Sequence, residues 1–112
     1  MLHVAATSES EGYYADYVNN LPRLARSLAE GFAFQGETMA FIDAPRGASS
    51  KHLPPTAFVS FIENHDQIGN RALGERLPSL APPEATRAVE AVYLLLPQIP
   101  MLFMGEEWGA TQ

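Results

Sequence analysis

The stretch FVSFIENHDQIGN, residues 58–70, decides how the chain is read. Phe58 to Ile62 are apolar at every position but Ser60, and the run breaks on Glu63, Asn64, His65 and Asp66. An apolar run without alternation predicts a parallel strand over 58–63, covered on both faces. Parallel α/β folds place their chemistry at the carboxyl ends of such strands, which is where these polar and titratable groups are bunched.

Working outward, IPMLFMGEEWG at residues 99–109 repeats the pattern, an apolar run ending in Gly105, Glu106, Glu107 and Trp108. Between the two lies PPEATRAVEAVYLLL, residues 82–96, which reads as a helix. It has Pro at its start, Glu84 in its first turn, and Val89, Val92, Tyr93 and Leu96 on one face, and Pro97 stops it. Upstream, LPRLARSLAEGFAF at residues 21–34 carries Leu21, Leu24, Leu28 and Phe32 at helical spacing. Asn20 suits its N-cap, Pro22 its first turn, and Gly31 or Gly36 its end. Residues 36–57 and the stretch after the first strand through Pro82 read as long loops, functional or mobile by their length. LHVAA, residues 2–6, fits either a helix or a short strand, and EGYYADY gathers Tyr13, Tyr14 and Tyr17, for packing or for sugar contact. Helix, strand, helix, strand is the grammar of an α/β fold with a parallel sheet.

The 112 residues make one small domain, 1–112, with a net charge of −6 and no basic run. That charge argues against nucleic acid as a partner. The chain has no cysteine, so disulfides and thiolate metal sites are excluded. No apolar stretch reaches the length of a membrane span and no signal peptide is legible, so a cytoplasmic protein without membrane partners is expected. His3, His52 and His65 share no metal-ligand spacing, so neither a metal nor a cofactor is expected. Asp66 leads the candidate residues. A carboxylate at a strand end can stabilise developing positive charge or grip sugar hydroxyls, and His65 beside it can donate to a hydroxyl. The plainer reading makes Asn64 and Asp66 turn formers and His65 a packing residue.

Three stretches carry a resemblance. NHDQIGNRALGERL, residues 64–77, PMLFMGEEWGA, residues 100–110, and, more loosely, HVAATSESEGYYADY, residues 3–17, resemble segments of the α-amylase superfamily of glycoside hydrolases. Within it they are most similar to the trehalohydrolases that act on maltooligosyl trehalose. Two positions depart from that pattern: Ser8, where a Thr-Gly-Glu triplet would put glycine, and Ile42, where a basic residue would stand.

The resemblance implies a partial (β/α)8 TIM barrel, of which the chain holds the last two strands with their flanking helices. It implies cleavage of the α-1,4-glucosidic bond next to the terminal trehalose unit, an α-glucan substrate, and Asp66 as a catalytic carboxylate. His65, Gln67 and Asn64 would bind substrate, with Tyr14, Phe41 and Arg71 as further contacts. Glu106 and Glu107 are expected to hold loop backbone, Trp108 to pack, and Arg71, Glu75 and Arg76 to form a loop network. The superfamily's nucleophilic Asp and acid/base Glu end two earlier strands, and neither surrounding motif is present. A whole barrel takes about 250 residues, so the expectation is a C-terminal portion of a catalytic domain, missing its N-terminal part, inactive and marginally stable alone. The alternatives are another superfamily enzyme, such as a branching enzyme or an amylase, and a short non-catalytic protein binding carbohydrate or a partner through Tyr13, Tyr14, Phe41 and Trp108.

Overall fold

The computed structural model describes residues 1–111. Two strands, β3 (Val59–Ser60) and β4 (Ile99–Pro100), pair in parallel with Val59 opposite Ile99. The Ile99 N–H donates to the Phe58 carbonyl at 3.0 Å and the Met101 N–H to the Ser60 carbonyl at 2.8 Å. Phe58 and Ser60 thus face β4, and the backbone groups of Val59 and Phe61 face the free edge of the two-stranded sheet. The crossover between β3 and β4 includes the helix α5 (Pro83–Leu95), so the predicted strand–helix–strand order is present as a parallel unit.

The core forms where helices cover this unit. Leu2 and Ala6 of α1 (Leu2–Thr7), Ile62, Leu77 and Ala81, and Val89 and Tyr93 of α5 make one buried cluster. Leu24 and Leu28 of α2 (Leu21–Glu30) and Leu96 pack against it. The ambiguous LHVAA is therefore helical, because Leu2 and Ala6, four apart, meet one apolar surface. The Asn20 side chain caps α2 by accepting from the Arg23 N–H at 3.0 Å, and Gly31 closes it at φ 93°. A smaller cluster of Ala33, Phe34 and Met39 is closed by Met1 and Tyr17.

Several expectations need correction. In α2 the outer positions Leu21 and Phe32 are exposed, and only Leu24 and Leu28 face the core, because the helix ends at Glu30. The second strand is not buried: Ile99, Met101, Leu102 and Met104 are all exposed, since nothing among the described residues covers that face. Val59 is exposed for the same reason. Both regular strands are two residues long, shorter than their apolar runs. The long loops hold structure that periodicity misses: an antiparallel pair, β1 (Thr38–Met39) with β2 (Ala44–Pro45), and the short helices α3 (His65–Gly69) and α4 (Leu77–Leu80). Helices of one turn offer no repeat to detect.

Candidate active site

The chain leaves β3 through Ile62 and Glu63, both buried, and turns at Asn64 into α3. Asn64 is the N-cap: its Oδ1 accepts from the Asp66 N–H at 2.7 Å, and its own N–H donates to Gln67 Oε1 at 2.9 Å. This reciprocal capping box fixes the first turn of a helix too short to hold itself. The turn presents His65 and Asp66 to solvent at the strand's carboxyl end. Among the described residues, no protein group hydrogen-bonds the Asp66 carboxylate or the His65 ring, so both are free for a ligand. The sequence-predicted Asn64 and Gln67 spend polar groups holding the turn, which limits what they offer a substrate.

Below this turn lies a buried polar layer. Glu63 is 2% exposed and its Oε2 accepts from the Leu77 N–H at 3.0 Å, with Arg76 Nη1 3.9 Å away from its other oxygen. Burial pushes the Glu63 carboxyl above its usual range, against the Leu77 N–H that favours its charged form. Arg76 Nη1 also donates to the Met104 carbonyl at 2.6 Å, and its guanidinium lies 5.1 Å from the Phe103 ring centre. Arg76 therefore ties the end of β3 to the loop after β4. There Glu106 accepts from the Tyr93 hydroxyl at 2.8 Å and the Phe103 N–H at 2.9 Å, and Glu107 accepts from the Gly105 N–H at 3.0 Å. The two glutamates hold loop backbone, as the resemblance implied. Trp108 does not pack; it is 72% exposed.

Arg71 departs from expectation. It joins neither Glu75 nor Arg76 in a loop network; its Nη2 donates to both carboxylate oxygens of Glu9 at 2.7 Å, and its Nε donates to the Gln67 carbonyl at 3.1 Å. The His3 ring touches both partners, 3.0 Å from Glu9 and 3.3 Å from Arg71. Burial alone would raise the Glu9 carboxyl, but hydrogen bonds from Arg71 and Thr7 outweigh it and hold it below its usual range. Burial lowers His3, which favours its neutral ring. Sequence reading missed Glu9 and His3, since a salt bridge spanning 62 positions leaves no local pattern. Ser8, between α1 and Glu9, sits at φ 59°, a conformation glycine adopts without cost.

The aromatic candidates gather around Tyr13, whose ring lies 4.5 Å from that of Tyr14 and 6.2 Å from that of Phe41. Tyr14 is half-buried 5.8 Å from the His3 ring, and Phe41 is exposed 6.2 Å from Tyr13. Asp16 aligns this pair by accepting from the Ala40 N–H at 3.2 Å and the Phe41 N–H at 3.0 Å. An open cleft of about 910 Å³ is lined by Tyr13, Tyr14, Phe34, Phe61 and Gln67 among others. It brings Tyr14 and Gln67 together; Asn64, His65, Asp66, Phe41 and Arg71 are not among its lining.

No protein-family model matches the chain. Its fold is that of part of an α-amylase-type structure: a crystal structure described as "Putative alpha Amylase from Salmonella typhimurium" superposes at a TM-score of 0.91, with 53% identity over 98% of this chain and 19% of that one. The curated relatives carry one name. The chain is 40% identical to a malto-oligosyltrehalose trehalohydrolase of Saccharolobus solfataricus over 96% of its length. It is 42% identical to that of Deinococcus radiodurans over 96% and 44% identical to that of a Rhizobium species over 98%. It spans only 18–19% of these relatives. The resemblance read from residues 64–77 and 100–110 therefore holds along nearly the whole chain.

Proposed function

We propose that this chain is the carboxyl-terminal portion of a (β/α)8 glycoside hydrolase that cleaves the α-1,4 bond beside the terminal trehalose unit of maltooligosyl trehalose, releasing trehalose. One observation carries the reading. An exposed carboxylate, Asp66, is held at the end of a parallel strand by a capped turn, in a chain 38–44% identical to trehalohydrolases along nearly all its length. In this reading Asp66 binds the sugar before the scissile bond and stabilises its oxocarbenium-like transition state, and His65 donates to the same sugar. The nucleophile and the general acid come from earlier strands outside this segment.

The barrel reading is supported by what the fragment leaves open. Val59, Ser60, Phe61 and Ile62, four consecutive residues, line the cleft of about 910 Å³ along the free edge of β3. A neighbouring strand of a barrel would occupy that edge. Tyr14 and Phe41 are then glucose-stacking candidates. Arg71 is the weakest of the substrate contacts, since Glu9 already occupies its guanidinium.

A second reading, an amylase acting on plain α-glucan, is favoured by the 53% identity to the Salmonella structure. Product analysis with the full-length protein separates the two. Free trehalose from maltooligosyl trehalose, with little product from maltodextrin, supports the trehalohydrolase. Maltose and short dextrins from maltodextrin, without trehalose release, would replace it with the amylase.

A further inference from the structure

We infer that Glu9 and Arg71 form a clamp that positions α3, and with it His65 and Asp66, for catalysis. This rests on the reading of Asp66 given above. Arg71 lies just beyond α3, and its guanidinium bridges two elements. One side holds the Gln67 carbonyl of α3 at 3.1 Å; the other holds both oxygens of Glu9, beyond α1, at 2.7 Å. His3, 5% exposed on α1, backs Glu9 at 3.0 Å, and Thr7 Oγ1 accepts from the Glu9 N–H at 3.3 Å. The capping box fixes α3 at its amino end, and the clamp supplies a second point of attachment through the Gln67 carbonyl, held by Arg71 from just past the helix's carboxyl end. Two points define the tilt of a one-turn helix; one leaves it free to pivot. A displacement of about 1 Å at a reacting group costs on the order of 100-fold in rate, so the tilt bears directly on Asp66. Arg71 is thus a positioning residue, not a substrate ligand, and Glu9 is its obligatory partner.

The test uses the full-length protein with maltooligosyl trehalose, comparing wild type, Glu9→Gln, Arg71→Gln, the double variant and Asp66→Asn. The clamp predicts that each single change lowers kcat by about tenfold or more with KM within about twofold. The double variant should be no worse than either single, and Glu9→Gln should add little in the Asp66→Asn background. A general loss of structure would instead add to the Asp66 defect. Arg71→Lys keeps the charge but loses the two-sided fork, so it should also lose kcat; it answers the question if Glu9→Gln fails to fold. Full kcat in Glu9→Gln or Arg71→Lys, or a raised KM at unchanged kcat in Arg71→Gln, overturns the clamp while leaving the function standing. A wild type that releases no trehalose removes that function and the inference with it.

Discussion

The Asn64 N–H donates to Gln67 Oε1 at 2.9 Å while Asn64 Oδ1 accepts from the Asp66 N–H at 2.7 Å, so one residue secures both sides of the first turn of α3. Asn64→Ala removes the cap, and a lost N-cap costs about 1 kcal/mol. In the full-length protein both thermal stability and kcat should fall, because α3 carries Asp66. A rise in KM with stability and kcat intact would make Asn64 a substrate ligand.

Tyr93 is fully buried, and its hydroxyl donates to Glu106. Tyr93→Phe keeps the packing and removes one donor from that carboxylate, a loss of about 1–2 kcal/mol in urea unfolding of the full-length protein. Glu106→Gln should change kcat little, since Glu106 serves the Phe103 backbone and Tyr93. A collapse of kcat in Glu106→Gln at unchanged stability would assign it chemistry.

The sequence foretold the strand–helix–strand order, Asn20, Glu84 and Pro97 as helix punctuation, and Gly31 as one of two ends for α2, because each acts through its immediate neighbours. Its strand-end position made Asp66 the leading candidate, and the resemblance added the catalytic role. Glu9 and His3 were illegible because their roles come from Arg71, which folding brings to them from far along the chain. The short helix α3 was legible in principle, since Asn64 followed by Gln67 three positions on has the form of a capping box.

Gly31 cannot carry a side chain. Its φ is 93°, and an added Cβ would stand 2.3 Å from the Phe58 ring. Gly31→Ala should destabilise the full-length protein by on the order of 3 kcal/mol through overpacking and backbone strain. A melting temperature equal to wild type would show that Gly31 and the Phe58 ring do not meet as described.

Acid should loosen the α1–α3 contact in two steps. His3 binds protons less readily folded than unfolded, so its contribution holds above its ordinary 6.5 and is lost as pH falls through the lower folded value. Glu9 is also lowered, so its contribution holds above its ordinary 4.5 and fades below that. His3→Gln should therefore flatten the fall of melting temperature as pH drops below the ordinary 6.5 of histidine. An unchanged pH profile would place His3 outside the contact.

The 112-residue chain alone exposes Leu95, Ile99, Leu102 and Met104. Exposed apolar clusters of this kind bind dye and promote association. The isolated chain should bind a hydrophobic dye and self-associate; a clean monomer with a sharp thermal transition would contradict the barrel-fragment reading.

The most direct test of the central claim is the turnover of Asp66→Asn in the full-length protein on maltooligosyl trehalose. Loss of a transition-state-stabilising carboxylate predicts a fall in kcat of about 100-fold or more with KM nearly unchanged. Turnover equal to wild type would show that Asp66, and with it the strand end that carries it, is not where the bond is broken.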